Sequence, residues 1–497
     1  MNKPSAIYKN TAFVTALAVA ERALGFLYRV VLARLLGAEG VGVYQIALSH
    51  FFLFRTVGGG GLPVTLSRCV SKCNAENSPQ KSGGALIAAC LISLALTLPI
   101  TLILSPFLGK IPLFSSDASV LQILLVSLSF TCVYAVIKGY FWGNKQFLAP
   151  ALLECVEEIL TVILGVLFLM FAGECTPVEG AKSAAFAMSA ACILSFIACI
   201  ALLLAQKPKR SSPKPFFKPV FFSALPITAV RTGSTFVNAA VAVLLPAMLT
   251  KAGMAESEAL QAFGVATGMV FPLLSIPMTV IGSLSTVLVP ELAEDHQKGN
   301  ALRLRRTVER GLYFCTLVAT VLMPFFAVLG NDLGLLTYQN ALAGEMLQNS
   351  SALLLPMSVC ALSGSVLNSL GFEKQSFLFS LIGSAVFLLC ITLLPAVMGV
   401  YAFTFGMFVE LSLCAAMQLI FLQRRCPLSK TFYQKCLLLI ALALPISLLG
   451  QLYASLFGGF LGEWLAPIAV AAAMAITTFA VYFLFRLLPM GKKAKKA

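Results

Sequence analysis

The chain has 497 residues, of which 59% are apolar and only 11% are charged, and its formal net charge is +15. A soluble domain carries about 25% charged residues, so the composition excludes an ordinary soluble protein and predicts an all-α polytopic membrane protein. The basic residues are spread over short segments between apolar runs, without a long basic arm or a nucleic-acid-binding motif. Nucleic acid is therefore not expected as a partner.

The 14 cysteines lie mostly within apolar runs, where a thiol behaves as a small apolar side chain. Cys69 and Cys73 are about one helical turn apart, but a metal site needs further ligands and the chain has only 2 histidines. The sequence thus predicts neither a metal site nor a cofactor.

Apolar runs of about 20 residues cross a bilayer as helices, and fourteen such spans are predicted along the chain. They are 11–36, 42–67, 83–108, 118–143, 148–171, 182–205, 220–249, 259–289, 311–330, 338–369, 376–397, 400–423, 436–458 and 464–488. Lys3 and Lys9 precede the first run as they would in a signal peptide. That run continues without a small-residue cleavage site, so it is interpreted as a retained first helix.

The distribution of lysine and arginine tests this map, because cytoplasmic loops of membrane proteins are enriched in both. With the N-terminus and every second loop in the cytoplasm, the external loops contain only Lys110, Lys182 and Lys251. A span missed in mid-chain would reverse the side of every later loop and remove this asymmetry. The sequence therefore predicts about fourteen transmembrane helices with both termini in the cytoplasm.

Two six-helix lobes are predicted on either side of a basic, proline-rich segment. The division is 1–206 for the N-terminal lobe, 207–219 for a cytoplasmic linker, 220–424 for the C-terminal lobe, and 425–497 for two extra helices and a basic tail. Residues 140–147 after span 4 resemble residues 369–377 after span 10. Because six spans per lobe is an even number, a pseudo-twofold axis along the membrane normal is expected to relate the lobes, with the site between them.

Three arginines fall near the middle of predicted spans. At about 1.5 Å per residue, Arg22 lies about 18 Å and Arg231 about 16 Å from the cytoplasmic ends of their spans, and Arg55 reaches a similar depth. Arg29 shares the helix face of Arg22, and Gly25 between them is expected to leave room for a ligand. An ionised side chain at this depth costs about 2.5–3.5 kcal/mol, and guanidinium groups bind phosphate bidentately. The pattern predicts a wet cavity for an anionic substrate.

The alternative is that these arginines pair with carboxylates inside the protein. The available partners are Glu21, Glu154, Glu157, Glu158 and Glu410. Glu158 and Glu410 are also candidates for binding a coupling cation, and the residue pattern does not separate the two roles. Arg34 and Lys138 lie near span ends, where both are expected to extend to the interface and to be structural.

Glycine and proline interrupt span 2 just after Arg55. The run consists of Gly58, Gly59, Gly60, Gly61 and Pro63, and span 8 and its end contain Pro272, Pro277 and Pro290. Such residues let a helix bend, so the span 2 run is a candidate hinge, with an ordinary kink as the alternative. The sequence contains no Walker motif and no catalytic array of histidine and carboxylates, and an enzyme is not predicted.

The first span carries a motif through which the chain resembles a known family. Residues 21–45, ERALGFLYRVVLARLLGAEGVGVYQ, are similar to the polysaccharide biosynthesis and stage V sporulation protein B family. That family is related to the lipid II flippase MurJ within the multidrug/oligosaccharidyl-lipid/polysaccharide exporter superfamily. Residues 61–63, residues 225–231 and the span 8 run 264–294 also match, so the resemblance covers essentially the whole chain.

The resemblance implies a multi-pass flippase of the bacterial plasma membrane. By alternating access it would move an undecaprenyl-pyrophosphate-linked oligosaccharide for peptidoglycan, capsule or sporulation. Arg22, Arg55 and Arg231 would hold the pyrophosphate, with Arg29 as a further contact. Membrane lipids are the other expected partner, because the polyprenyl tail would lie in lipid or against spans 13 and 14. A monomer suffices for this function.

Two other functions remain open at this point. A multidrug/cation antiporter of the same superfamily would favour acidic rather than basic residues in its cavity. A non-transporting scaffold in wall or spore assembly would tolerate loss of the arginines. Membrane potential and a monovalent cation are the energy sources considered for transport.

Overall fold

The structure is a computed structural model, and it describes residues 4–76, 78, 80–110, 118–173, 176–206, 211–459, 462 and 465–487. Side chains are described throughout these ranges except at 4–12, 15, 286 and 287. Lys3, the linker residues Lys207, Lys209 and Arg210, and the predicted basic tail after residue 487 lie outside the described part. Within the described part, all regular secondary structure is helical.

The helices form two compact units, Met1–Gly268 and Met269–Ala497. The described helices of the first unit are α1 (Pro4–Gly59), α2 (Leu62–Ala75), α3 (Gln80–Pro99), α4 (Ala118–Val126), α5 (Leu128–Gly143), α6 (Leu148–Ala172), α7 (Pro177–Ala205), α8 (Phe217–Lys251) and α9 (Glu256–Gly264). A π-helical turn (Ile100–Leu104) and a 3-10 turn (Ser105–Lys110) extend α3, and another 3-10 turn (Lys214–Phe216) precedes α8.

The second unit follows a π-helical segment, Val265–Val270, which continues directly into its first helix. Its described helices are α10 (Phe271–Gln297), α11 (Ala301–Tyr338), α12 (Ala341–Asn349), α13 (Leu354–Ser369), α14 (Glu373–Leu393), α15 (Pro395–Met398), α16 (Tyr401–Arg425), α17 (Lys430–Gly458) and α18 (Leu465–Leu484). The predicted division into two six-helix lobes, a linker and two extra helices stays a prediction.

The long helix α1 is interrupted at one glycine. Its 56 residues contain Gly37, whose φ of 68° and ψ of 175° are not helical. A positive φ is accessible to glycine without steric cost, so the chain changes direction here. The part before Gly37 covers predicted span 1, and the part after it, together with the start of α2, covers predicted span 2.

The described part contains eleven helical segments long and apolar enough to cross a membrane, or up to twelve when the bent pair α4–α5 counts as one. That pair bends by 44°. A total of fourteen spans requires that both parts of α1 also cross. The count of fourteen and the cytoplasmic location of both termini stay predictions.

The predicted span 338–369 is too long at its start. Helix α11 ends at Tyr338, and Gln339 takes a left-handed conformation with a φ of 54°. The Asn340 side chain then caps α12 by accepting a hydrogen bond from the Ala343 N–H at 2.9 Å. The membrane-length segment is Ser351–Ser369. A left-handed residue followed by an N-cap ends one helix and starts another, which apolar content alone did not reveal.

Packing in the first unit centres on α2, α3 and α5, with α7 and α8 against them. Buried members of this cluster include Leu62, Leu66, Leu86, Tyr134, Ile137, Phe141 and Val220. On the outer face of α6, Ile159, Ile163 and Phe171 stay exposed. An apolar exposed face is what a helix presents to lipid, so close side-chain contact rather than exclusion of water holds the unit together.

Packing in the second unit centres on α10, α11, α13 and α16. Leu312, Leu362, Leu367 and Leu422 are buried together there. Helix α17 packs along α11, and Leu439 and Tyr482 bring α17 and α18 into a second buried cluster with Leu317. The Tyr313 hydroxyl donates a hydrogen bond to the Leu487 carbonyl at 2.6 Å, which fixes the end of α18 to α11.

Candidate functional site

Arg22 and Arg29 lie on α1, and both side chains are exposed. Their spacing of seven residues, two helical turns, puts them on one face about 10 Å apart along the axis. Tyr28, directly before Arg29, is only 6% exposed. A Cβ at Gly165 of α6 would lie 2.4 Å from the Tyr28 hydroxyl oxygen, so this tyrosine packs tightly against α6. Tyr28 therefore packs on α6 next to the face of α1 that carries Arg22 and Arg29.

The space next to Gly25 is occupied by a carboxylate. A Cβ at Gly25 would lie 2.8 Å from Oε1 of Glu158, which belongs to α6. The expectation that Gly25 leaves room for a ligand is therefore wrong. Gly25 lies between Arg22 and Arg29, and Glu158 is close enough to Arg29 for their charges to interact. Glu158 thus contributes a negative charge beside the arginines of α1.

Arg231 of α8 contacts the interruption between α1 and α2. Its Nη1 donates a hydrogen bond to the Gly60 carbonyl at 2.6 Å. One turn earlier on α8, the Thr228 hydroxyl accepts a hydrogen bond from the Gly61 N–H at 3.0 Å. The break in span 2 leaves backbone groups without helical partners, and two α8 side chains satisfy one donor and one acceptor there. Thr228 was not among the predicted site residues, although its position three residues before Arg231 places both on one face of α8.

Arg55 lies on α1 five residues before Gly60, about 7.5 Å along the helix axis. Its side chain is half-buried. The Cys132 thiol of α5 donates a hydrogen bond to the Arg55 carbonyl at 3.5 Å. The Arg55 charge also acts on the thiols of Cys132 and Cys192. Arg55 and Arg231 therefore both lie near the break, whereas Arg22 and Arg29 lie earlier in α1, before the kink at Gly37.

The carboxylates that the sequence offered as partners for the arginines have other contacts. Glu154 accepts a hydrogen bond from Lys138 Nζ at 2.8 Å. Glu157 accepts one from the Cys192 thiol at 3.3 Å. In the second unit, Glu410 accepts one from the Ser384 hydroxyl at 2.9 Å. Among the described residues, these three carboxylates do not pair with the arginines.

Lys138 is buried rather than extended to the membrane interface. The residue is 8% exposed. Its Nζ forms the ion pair with Glu154 and lies 4.5 Å from the centroid of the Tyr134 ring. The expectation that Lys138 extends to the interface is wrong, because a carboxylate on α6 and an aromatic face on its own helix α5 are both within reach.

The four arginines share one further property. Among the described residues, none of Arg22, Arg29, Arg55 and Arg231 forms an ion pair with a carboxylate. We call these four residues the arginine set. The described residues also contain no group of three or more His, Cys, Asp or Glu side chains that could hold a metal ion.

Comparison with known families gives the class of the protein. Residues 7–296 match the family described as Polysaccharide biosynthesis protein. This match covers more than half of the chain. The chain belongs to that family.

Two curated proteins with similar sequences are sporulation proteins. The chain is 26% identical over 397 residues to Stage V sporulation protein B of Bacillus subtilis (strain 168), covering 76% of this chain and 76% of that protein. It is 25% identical over 280 residues to Sporulation protein YkvU of the same strain, covering 54% of this chain and 62% of that protein.

Solved structures show the same fold. The lipid II flippase MurJ in an inward closed conformation matches with a TM-score of 0.71 and 15% identity, over 96% of this chain and 100% of that chain. An inward-facing multidrug resistance MATE family transporter of the MOP superfamily matches with a TM-score of 0.70 and 13% identity, over 82% and 94%. At such identities the likeness concerns the fold alone.

The family predicted from the span 1 motif is thereby confirmed, as is a multi-pass protein of the plasma membrane. The fold is that of MurJ and the MATE transporters. The assignment of the arginine set, Glu158, Glu410 and the glycine run to a functional site stays a prediction.

Proposed function

We propose that this protein is an alternating-access flippase that moves an undecaprenyl-pyrophosphate-linked oligosaccharide across the plasma membrane. The observation that carries the proposal is the arginine set, which lies within predicted spans without a carboxylate partner among the described residues. Membership of the polysaccharide biosynthesis family and the MurJ-like fold support the class of substrate.

Pyrophosphate chemistry explains why such arginines are retained. An unpaired guanidinium at membrane depth costs several kcal/mol, and an anionic ligand offsets that cost by forming charge-assisted bidentate hydrogen bonds. Guanidinium stays protonated at any physiological pH, so the site would keep its charge throughout a transport cycle. In this proposal Arg22 and Arg29 contact the substrate from α1, and Arg55 and Arg231 contact it beside the helix break.

The Arg231 contact connects substrate binding to the break. A backbone carbonyl is a weaker partner for guanidinium than a phosphate oxygen. Pyrophosphate would therefore compete with the Gly60 carbonyl for Arg231 and release that bond between α8 and the end of α1. Release would free the run Gly58–Gly61 with Pro63 to act as a hinge during alternating access.

Glu158 and Glu410 have two roles open within this proposal. Glu158 lies beside the arginines of α1, where it either offsets their charge or holds a coupling cation when substrate leaves. Glu410 is hydrogen-bonded to Ser384 in the second unit. Transport would be driven by a gradient of a monovalent cation or by the membrane potential.

Binding of purified full-length protein to lipid II and to undecaprenyl pyrophosphate tests the proposal. We expect Arg22→Ala and Arg231→Ala each to weaken binding by about tenfold or more, since each removes a hydrogen bond to a charged group worth about 1.5–3 kcal/mol. Arg424→Ala is the matched control, because Arg424 is exposed in the last turn of α16 and outside the arginine set. Proteoliposomes with a sodium gradient, a proton gradient or a potential measure flipping.

Three results would contradict the flippase. Unchanged binding in both arginine variants would show that neither arginine holds the pyrophosphate. Binding of organic cations instead of polyprenyl lipids would support the multidrug/cation antiporter. Specific binding without flipping, retained in Arg22→Ala, would support a scaffold.

A further inference from the structure

A second basic site lies in the first unit, away from the arginine set. A cavity with a volume of about 760 Å³ opens where α2, the start of α3 and the segment before α8 meet. We call it the α2 cavity. Its volume is in the range of about 300–1,000 Å³ that small-molecule sites occupy. By the charge pattern, it faces the predicted cytoplasmic side.

The α2 cavity carries net positive charge. Arg68 and Lys72 of α2 and Lys81 of α3 line it, together with a single lining carboxylate, Glu76. Lys72 Nζ and Glu76 Oε1 are 3.9 Å apart, and both side chains are more than half exposed. Three cations against one carboxylate leave an excess of positive charge, so the cavity attracts anions.

A buried threonine hydroxyl belongs to the lining of the same cavity. Thr65 lines the cavity and is 6% exposed. Its Oγ1 makes no hydrogen bond to any described residue. Thr65, Arg68 and Lys72 are spaced three, four and seven residues apart, so they lie on one face of α2. The Oγ1 atom itself is shielded from solvent. A buried hydroxyl without a partner costs free energy, and rotation about χ1 toward the cavity would let it donate to a ligand oxygen.

The opposite wall is held in place by the polypeptide before α8. The Ser211 hydroxyl accepts a hydrogen bond from the Gly84 N–H at 2.9 Å. A Cβ at Gly84 would lie 2.5 Å from the Ser211 hydroxyl and 2.6 Å from the Ser212 carbonyl oxygen, so this segment sits directly on α3. Phe216 and Val220 add an apolar surface to the cavity. The wall therefore combines a fixed backbone with a surface for apolar atoms.

We propose that the α2 cavity binds a phosphate ester. The phosphate would contact Arg68, Lys72 and Lys81 and accept a hydrogen bond from the Thr65 hydroxyl, and the rest of the ligand would pack against Phe216. Two sources carry this chemistry, namely the headgroup of an anionic phospholipid and a soluble phosphate ester. The site lies outside the arginine set, so the inference goes beyond the proposed transport function.

Native mass spectrometry of the full-length protein in detergent tests the proposal, with phosphatidylglycerol, phosphatidylcholine and glycerol phosphate as separate probes. We expect phosphatidylglycerol or glycerol phosphate to bind at least about tenfold more tightly than phosphatidylcholine, whose choline cation offsets its phosphate. The triple variant Arg68→Gln/Lys72→Gln/Lys81→Gln should lose this preference. Lys145→Gln/Lys374→Gln/Lys435→Gln is the matched control, because it removes equal charge from exposed residues that do not line the cavity.

Thr65→Val separates ligand binding from folding. Valine has nearly the shape of threonine, so the ligand-free unfolding temperature should be unchanged or higher, while affinity for the preferred probe falls several-fold. Preference for phosphatidylglycerol over glycerol phosphate would identify a lipid site, and equal binding would identify a site for a soluble ester. Equal losses in both triple variants, or no preference over phosphatidylcholine, would overturn the proposal. No polyprenyl lipid is present, so the result is independent of the flippase test.

Discussion

At the residue scale, the contacts of the arginines matter more than their positions. Sequence depth alone identified Arg22, Arg55 and Arg231, because charged residues are rare within apolar runs. The partner of Arg231 is the Gly60 carbonyl, 171 residues away in the chain. A backbone acceptor leaves no trace in residue type, so this contact was outside the reach of sequence analysis.

The buried pair Lys138–Glu154 gives a prediction about stability. Removing Lys138 leaves the Glu154 carboxylate, whose side chain is 30% exposed, without its partner, so we expect Lys138→Met to destabilise the protein by about 1–3 kcal/mol. The double variant Lys138→Met/Glu154→Leu should recover most of that loss, because apolar side chains of similar volume replace a buried pair at little cost. Unfolding in detergent, followed by intrinsic fluorescence against temperature, measures both.

An exposed pair supplies the control for this prediction. Lys298 and Glu294 form an ion pair in which both side chains are more than 60% exposed. Lys298→Met should therefore change stability by less than about 1 kcal/mol. Equal effects of Lys138→Met and Lys298→Met would mean that the buried pair has no special role.

At the element scale, the break between α1 and α2 is the feature that the sequence located and the structure explained. Helix α1 ends at Gly59 and α2 begins at Leu62, with Pro63 in its first turn. The first turn of a helix has no acceptor for its N–H groups, so the missing N–H of a proline costs no hydrogen bond here. The predicted interruption is therefore present, while motion about it stays a prediction.

Two glycines of this run should respond differently to the same substitution. A Cβ at Gly61 would lie 2.4 Å from the Ala224 carbonyl oxygen of α8, so Gly61→Ala must push α2 and α8 apart. We expect a loss of about 1–3 kcal/mol, typical of overpacking. At Gly59 the nearest atom to such a Cβ is 3.6 Å away, and Gly59→Ala should have little effect.

Thermal unfolding and lipid II binding of both variants check this prediction. Gly61→Ala should lower both stability and affinity, because the Thr228 and Arg231 contacts lie at the same junction. Identical behaviour of the two alanine variants would show that close approach of α8 is not what Gly61 provides.

At the scale of the whole molecule, the side of the membrane on which each loop lies is open to a direct test. Fusions truncated after Gly299 and Gly371 should place a reporter in the cytoplasm, and fusions after Gly253 and Gly399 should place it outside. The physical reason is the lysine and arginine excess in alternate loops. Two reporters at each site measure the side of the membrane. Green fluorescent protein is fluorescent only in the cytoplasm, and alkaline phosphatase is active only outside.

The C-terminus completes the topology test. A reporter fused after Ala497 should report the cytoplasm if the number of spans is even and the N-terminus is inside. An external signal there would refute the even count. External signals at both Gly299 and Gly371 would contradict the predicted sides of these loops and would fit either a single crossing of α1 or an external N-terminus.

Membership of the family was accessible from sequence because the span 1 motif, residues 21–45, lies within the segment 7–296 that matches it. Most helix positions were also accessible, as in predicted span 148–171 and observed α6 (Leu148–Ala172). A membrane-spanning helix satisfies its own backbone hydrogen bonds, so apolar length alone indicates it. The start of predicted span 338–369 failed because a cap, not apolarity, determines where α12 begins.

The sequence by itself determined that this is an all-helical, multi-pass membrane protein with arginines inside its apolar runs, because hydropathy and charge are local properties of the chain. Only the tertiary structure decided what those charges meet. It brought Glu158 over Gly25, Lys138 to Glu154, Arg231 to the Gly60 carbonyl, and three cations around the α2 cavity. These contacts depend on which helices pack together and how closely, and a single sequence does not encode that in residue type or spacing.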